Sequence, residues 1–312
     1  MFDLLKRRFP PPSRFGTKGH SKTHLEPRMQ PAIRNICDTA RWVAFFRALE
    51  TRRPDALFRD PYAERLAGER GLQIAGALVD GSKHQWAWVS RTYLFDTFLS
   101  REIQNGAEVV LNLAAGLDAR PYRMDLSPSL EWVEVDLPEI ISHKRSILDG
   151  ESPRCKLTRY DLDLADTEQR RALFTELDSR GKKVVVASEG LLIYLSDAEV
   201  GALAADLSAT TNFRSWIVDL ASPGQLKLMQ RTTGKQLSEA GAPFKFGPPA
   251  GANFFVEYGW KPQAVEGLLK TAARFNRHPA ELESLLPEPK GVLGNYPWTG
   301  VCLLERASGS SR

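Results

Sequence analysis

The chain has 312 residues, of which 42% are hydrophobic and 26% are charged. This composition can bury the core of one elaborated domain, or of one domain with a small cap. No segment approaches the roughly 18 to 20 continuous apolar residues that cross a bilayer, and the amino terminus lacks the apolar centre of a secretion signal. The sequence therefore predicts a cytoplasmic location and no membrane partner.

The formal charge of +4 is concentrated at the amino terminus. Residues 1–34 contain eight Lys or Arg against Asp3 and Glu26, which gives this segment +6 and the rest of the chain −2. The segment has no hydrophobic period, so we interpret it as a flexible basic tail, with a targeting or anion-binding role left open. The remaining chain has no basic patch interleaved with aromatic residues, which predicts no nucleic-acid partner.

Helical spacing dominates the next segment, residues 35–105. Asp38 is a plausible cap for a first helix whose apolar residues recur every three or four positions, and a longer helix is predicted near 85–104. We expect an amino-terminal helical subdomain here. The three cysteines are widely spaced and suggest neither a disulfide framework nor a metal site.

Residues 106–312 alternate short apolar runs with amphipathic segments, which is typical of a parallel sheet with helices on both faces. Strands are predicted near 108–113, 131–136, 156–161, 183–188, 215–221 and 301–305. Residues 224–300 interrupt the rhythm, and we interpret them as a cap insertion with a helical stretch near Pro262 to Phe275.

The most informative feature is the end of the first predicted strand. Val109 to Leu113 is apolar and rich in β-branched residues, and Ala114, Ala115 and Gly116 form a turn that a ligand can approach closely. Asp136 follows 20 positions after Gly116, and an acid so placed in a doubly wound fold accepts the two hydroxyls of a ribose. The pair predicts a nucleoside cofactor.

Two further acids follow predicted strands in the same way. Asp161 or Asp163 comes after the third strand, and Glu189 comes after the fourth. Each carboxylate alone is more often a helix cap or a solvated side chain. Their convergence on one edge of the sheet favours a binding site.

Several short motifs occur in order along the chain. From the predicted strand ends these are Asn112-Leu113-Ala114-Ala115-Gly116-Leu117-Asp118-Ala119-Arg120-Pro121-Tyr122-Arg123, Glu134-Val135-Asp136-Leu137-Pro138, Asp163-Leu164-Ala165-Asp166 and Ser188-Glu189-Gly190-Leu191-Leu192-Ile193-Tyr194-Leu195. Upstream are Asp38-Thr39-Ala40, Arg47-Ala48-Leu49-Glu50, Asp60-Pro61-Tyr62-Ala63 and Arg91-Thr92 before Phe95-Asp96. They resemble the ordered motifs of the leucine carboxyl methyltransferase-like family, most closely the bacterial branch that includes polyketide O-methyltransferases. The resemblance covers roughly residues 36–305.

The resemblance implies an α/β, Rossmann-like class I methyltransferase fold with a mostly parallel seven-stranded sheet. It also implies S-adenosylmethionine as cofactor, no metal, and methyl transfer to an oxygen of a small-molecule carboxylate or hydroxyl. The implied cofactor-binding residues are Arg91 on the methionine carboxylate, the turn Ala114, Ala115 and Gly116 under the cofactor, Asp136 on the ribose, Asp163 and Leu164 beside the adenine, and Glu189 near the cofactor's amino group or the acceptor.

One position departs from the family, which commonly has Gly where this chain has Ala114. A methyl group is tolerated there if the backbone φ is negative. The acceptor is open, as are its general base and the oligomeric state. Candidates for an aromatic pocket are Tyr194, Tyr258, Trp260 and Trp298, although core packing is the more common role for any one of them.

Two alternative functions remain at this point. A nicotinamide-dependent oxidoreductase would place a pyrophosphate at the helix start, where Asp118 is unfavourable. A non-catalytic nucleoside-binding module would keep the fold without turnover.

Overall fold

The computed structural model describes residues 33–77, 84–286, 288 and 294–307. The predicted basic tail lies outside this part of the chain, apart from Ile33 and Arg34. The described residues form one compact unit.

Seven strands in the described residues form one sheet, with the order β3-β2-β1-β4-β5-β7-β6. The strands are β1 (Val109–Leu113), β2 (Glu131–Asp136), β3 (Lys156–Asp161), β4 (Val184–Ser188), β5 (Phe213–Ala221), β6 (Trp260–Gly267) and β7 (Thr299–Arg306). Strands β1 to β5 pair in parallel, and β7 runs antiparallel between β5 and β6. The winding reverses between β1 and β4, where doubly wound folds hold their ligands.

Helices precede the sheet and connect its strands. They are α1 (Ile36–Thr51), α2 (Ala63–Ala77), α3 (Gln85–Gln104), α4 (Arg120–Arg123), α5 (Pro138–Ile147), α6 (Thr167–Ser179), α7 (Asp197–Ser208), α8 (Pro223–Thr232), α9 (Gly234–Glu239) and α10 (Leu268–Arg274). Short 3₁₀ segments cover Leu192–Tyr194, Gly251–Tyr258 and Ala280–Leu285. Among the described helices, none combines the length and apolar character that crossing a bilayer requires.

The sheet is buried on both faces because alternate residues of each central strand enter different cores. Val109 and Leu111 of β1 belong to one hydrophobic cluster, whereas Val110 packs in the other, together with Trp132 and Val185. All five residues of β1 are buried. Burial on both faces explains why the sequence of β1 is a nearly continuous apolar run.

Beside the end of β2 lies a buried charged group. Glu134 and Lys144 are both inaccessible to solvent, and the Lys144 Nζ lies 2.7 Å from Glu134 Oε1. Arg159 of β3 donates to the other carboxylate oxygen at 2.8 Å. These contacts fix α5 against β2 and β3, directly after Asp136.

The helix predicted near Pro262 to Phe275 is wrong in its first half. Residues 260–267 form β6, whose burial alternates from residue to residue, and only Leu268–Arg274 is helical. A register shift between Pro262 and Ala264 accommodates the proline, which has no N–H for the ladder. Part of the predicted cap insertion over 224–300 therefore belongs to the sheet.

The N-cap predicted for the first helix, Asp38, lies three residues after the N-cap in the structure. The N-cap is Asn35, whose side chain accepts from the backbone N–H of Asp38. Asp38 instead holds two arginines, Arg41 at 3.2 Å and Arg70 of α2 at 2.6 Å. Its carboxylate therefore joins α1 to α2.

Candidate functional site

The turn after β1 and the acid after β2 are joined directly. The backbone N–H of Gly116 donates to Asp136 Oδ2 at 2.6 Å, and that of Leu137 donates to Oδ1 at 2.7 Å. An ionised carboxylate has about four acceptor positions, so Asp136 retains capacity for two hydroxyl donors. Burial raises the pKa of the Asp136 carboxyl, while the two backbone donors oppose the rise.

Ala114 adopts a left-handed backbone conformation, with φ at +52°. The condition under which its methyl group would be tolerated, a negative φ, is therefore not met. A residue with a Cβ in this region is strained by about 1 to 2 kcal/mol. Gly116 has a similar φ of +50° without that penalty.

Arg91, on α3, lines the same cavity as the turn. Its Nε lies 3.1 Å from Glu189 Oε1, and its Nη1 lies 3.2 Å from Asp219 Oδ2. The guanidinium also packs 4.9 Å from the centre of the Trp88 ring. Two of its five N–H donors serve these acids, so it retains donors for a ligand carboxylate.

A second arginine holds the acids beside the turn. Arg120 contacts Glu189 at 2.8 Å, Asp118 at 2.9 Å and Asp96 at 2.6 Å. Asn112 donates a further hydrogen bond to Asp118 at 2.8 Å. Although burial opposes the shift, Arg120 lowers the pKa of Asp118 well below its usual range. Asp118 therefore carries a full negative charge at neutral pH.

The geometry distinguishes the two acids that follow β3. Asp163 and Leu164 line the cavity, and Asp163 Oδ1 accepts from the backbone N–H of Ala165 at 2.9 Å. Asp161 is not among the cavity-lining residues and lies 3.6 Å from Arg145 at the surface. Asp163 is thus the acid that faces the cavity.

The cavity has a volume of about 690 Å³ and extends from the turn to an apolar chamber. The chamber is formed by side chains that pack in one hydrophobic cluster and also face the cavity: Trp42, Trp88, Ile193, Tyr194, Met229, Leu237 and Phe244. The Tyr194 and Phe244 rings stack with their centroids 5.6 Å apart. Trp298 lines the cavity as well, with its Nε1 3.0 Å from Glu288 Oε2.

Two predicted pocket residues lie elsewhere. Trp260 is fully buried, donates from Nε1 to the Ala204 carbonyl at 2.9 Å, and packs on Trp216. The Tyr258 ring packs on Phe254. Neither residue lines the cavity, because the segment that carries them leads into β6 and not over the site.

Asp219 is a site residue that sequence reasoning missed. It lies near the carboxyl end of β5, faces the cavity and contacts Arg91. The strand-end rule that identified Asp136 and Glu189 also applies to it. Within the described residues, no cluster of three His, Cys, Asp or Glu is arranged to hold a metal ion.

The doubly wound sheet, with its turn–acid pair beside the switch point, has the arrangement in which α/β proteins hold nucleoside ligands. The sequence model of the leucine carboxyl methyltransferase family matches residues 40–208. A protein of Mycobacterium sp. (strain KMS) is 30% identical over 266 residues, which cover 77% of this chain and 88% of that protein. The chain belongs to the leucine carboxyl methyltransferase family.

A relative from Rhodococcus jostii (strain RHA1) is 39% identical over 173 residues, which cover 53% of this chain and 58% of that protein. The match therefore spans little more than half of that relative's length. Both relatives are named as proposed S-adenosyl-L-methionine-dependent methyltransferases.

Solved structures show the same fold at low sequence identity. A DUF574-family protein from Streptomyces avermitilis gives a TM-score of 0.53 at 12% identity and covers 86% of this chain and 97% of its own. A proposed methyltransferase from Thermobifida fusca gives 0.53 at 15% identity, covering 92% and 100%. The mostly parallel seven-stranded sheet, with β7 antiparallel, is the predicted class I methyltransferase fold.

Proposed function

We propose that the protein is an S-adenosylmethionine-dependent methyltransferase that methylates an oxygen, carboxylate or hydroxyl, of a small molecule. The observation that carries this proposal is the convergence of Asp136, Arg91 and the Ala114–Gly116 turn on one cavity. The family membership supports the same activity. The aromatic walls of the chamber suit an aromatic or polyketide-like acceptor.

The residues present fit the cofactor. Asp136 retains acceptor positions for a ribose, and Arg91 retains donors for the methionine carboxylate, which a guanidinium holds in a fixed orientation. Asp163 and Leu164 would border the adenine. Glu189 supplies negative charge near a cationic ligand.

When bound, S-adenosylmethionine supplies an activated methyl group, so the protein needs no covalent intermediate. The task of the chain is to orient the acceptor oxygen in line with that methyl group, at roughly 3 to 3.5 Å. The apolar chamber excludes water from the acceptor and holds its hydrocarbon part. Arg91 would hold the methionine carboxylate of the cofactor and Asp136 its ribose, in the same cavity as the chamber.

The charge at the turn argues against the nicotinamide alternative. Asp118 is ionised and held by Arg120 and Asn112, beside the position that a pyrophosphate would occupy. A pyrophosphate there would face the negative charge of Asp118, and like charges repel each other most strongly where water is scarce. A singly cationic cofactor is the better match.

Calorimetric titration of the full chain tests the proposal. We expect heat from S-adenosylmethionine at nanomolar to micromolar concentrations and none from NADH. Absence of S-adenosylmethionine binding in a folded sample would refute the function. Binding without transfer of a labelled methyl group to any small hydroxyl or carboxylate compound would favour the non-catalytic module.

A further inference from the structure

Asp219 lines the cavity that holds the proposed site. It lies near the end of β5, beside β4, which Glu189 directly follows, and its side chain is 17% exposed. Its Oδ1 accepts from the Gly190 N–H at 2.7 Å and its Oδ2 accepts from Arg91 at 3.2 Å. Since a carboxylate offers about four acceptor positions, Asp219 can accept another hydrogen bond from a hydroxyl group in the cavity.

Asp219 and Glu189 differ in how firmly they are neutralised. Glu189 forms ion pairs with Arg91 and Arg120, whereas the one ion pair of Asp219 among the described residues is with Arg91. A cofactor carboxylate on Arg91 would compete for that one cation. Cofactor binding would then weaken the one ion pair that Asp219 makes.

The cavity as a whole repels an anionic acceptor. Four arginines line its described part, and each already contacts a carboxylate: Arg47 with Asp60, Arg91 with Glu189 and Asp219, Arg120 with Asp96, Asp118 and Glu189, and Arg170 with Asp206. Seven acids line the same part: Asp118, Asp136, Asp163, Glu189, Glu199, Asp219 and Glu288. The fifth basic residue of this lining is His84, at the start of α3. A carboxylate acceptor would thus meet a surplus of negative charge, whereas a neutral hydroxyl would not.

Burial raises the pKa of the Asp219 carboxyl, although Arg91 and the Gly190 N–H oppose the shift. The other titratable groups that face it are Glu189, Tyr194 and, from β7, Cys302. Glu189 acts in the same direction as burial. A carboxylate with a raised pKa is a better proton acceptor near neutral pH.

Resting on the proposed function, we propose that the acceptor is an uncharged aromatic hydroxyl compound and that Asp219 is the general base that takes its proton. In this step the acceptor O–H bond breaks and its proton goes to an Asp219 oxygen. The acceptor oxygen forms a bond to the methyl carbon as the carbon–sulfur bond breaks, and the sulfur keeps that electron pair. Asp219 then returns the proton to solvent.

Methyl transfer to two pairs of probes tests the proposal. The first pair, 2-naphthol and 2-naphthoic acid, compares a hydroxyl with a carboxylate on the same ring. The parent protein should methylate 2-naphthol and leave 2-naphthoic acid unchanged. Equal or faster methylation of the acid would overturn the acceptor class.

The second pair compares 4-methylphenol with 4-nitrophenol in the parent, in Asp219→Asn and in a control, Asp149→Asn, which changes an exposed acid. At a pH where 4-nitrophenol is ionised and 4-methylphenol is not, only 4-methylphenol needs a base. The 4-nitrophenolate anion meets the same surplus of negative charge as a carboxylate and should have a high KM, so the comparison uses kcat at saturating concentration. Asp219→Asn should lower kcat for 4-methylphenol by about 100-fold or more and lower that for 4-nitrophenol far less. The control should match the parent.

Because both phenols are assayed on one sample, the ratio of their rates does not depend on the folded fraction. An equal loss with both phenols would assign Asp219 a structural role and overturn the proposal. So would an acid limb in the pH profile of kcat for 4-methylphenol that persists unchanged in Asp219→Asn. A parent that binds S-adenosylhomocysteine and methylates no hydroxyl probe overturns the acceptor class alone, whereas a parent that does not bind it refutes the proposed function.

Discussion

The strained residue in the cofactor turn gives a sharp stability prediction. Ala114 has a φ of +52°, and replacement by glycine removes a penalty of about 1 to 2 kcal/mol. Glycine also loses about 0.4 to 1 kcal/mol through the greater freedom of the unfolded chain. We therefore expect Ala114→Gly to raise the free energy of unfolding by roughly 0.5 to 1 kcal/mol.

The neighbouring alanine is a matched control. Ala115 is 5% exposed and is not among the residues with positive φ in the described chain. Ala115→Gly increases the conformational entropy of the unfolded chain by the same amount and removes a buried methyl group that contributes about 0.8 kcal/mol to stability. We expect it to lower the free energy of unfolding by roughly 1 to 2 kcal/mol.

Equilibrium unfolding in urea at 25 °C measures both variants against the parent. The two changes should move the midpoint in opposite directions, with equal slopes against urea concentration. If Ala114→Gly destabilises the chain as much as Ala115→Gly does, the left-handed backbone at position 114 is not a strained feature, and the reasoning fails. Titration with S-adenosylhomocysteine should show affinity in Ala114→Gly at least equal to that of the parent.

Arg91→Ala and Asp136→Ala should each weaken S-adenosylhomocysteine binding by about 10-fold or more without changing the circular dichroism spectrum; calorimetry that finds parental affinity in both would show that the site is misassigned. Lys144→Met leaves buried Glu134 with Arg159 as its remaining described cation and should lower the free energy of unfolding by about 3 kcal/mol. Adding Glu134→Leu to this variant should recover part of the loss. If urea unfolding shows that the double variant loses the sum of the two single losses, Lys144 and Glu134 are not energetically coupled. Burial opposes ionisation of Asp96, but Arg123 and Arg120 outweigh it and lower the pKa of this carboxyl. The ionised Asp96 therefore stabilises the folded chain fully above its unfolded pKa of about 3.9, and this contribution is lost as the pH falls below that value. The urea midpoint should accordingly fall less between about pH 5 and pH 3 in Asp96→Asn than in the parent, and identical falls would contradict the assignment.

The central strands were predictable because burial on both faces requires short runs of apolar residues, which are visible in the sequence. The expected runs 131–136 and 156–161 coincide with β2 and β3, and the other predicted strands differ by one or two residues at an end. Strand β6 was not predictable in the same way. Its Val265 points outward at 47% exposure, and its pairing with β7 depends on a partner about 40 residues away in the chain.

Part of the candidate site could also be predicted from local sequence patterns. A position at a strand end is a property of the local sequence, which is why Asp136 and Glu189 could be identified. The ion pairs of Arg91 depend on side chains that the fold brings together from α3, β4 and β5. The φ of Ala114 and the burial of Trp260 behind α7 likewise follow from tertiary packing, which residue spacing does not encode.

A crystal structure of the protein with S-adenosylhomocysteine tests the central claim most directly. The account predicts the ribose hydroxyls within hydrogen-bond distance of Asp136, about 2.5 to 3.0 Å, and the homocysteine carboxylate on Arg91. It also predicts that the sulfur faces the apolar chamber and Asp219. A ligand whose ribose lies away from Asp136, or whose carboxylate does not contact Arg91, would contradict it.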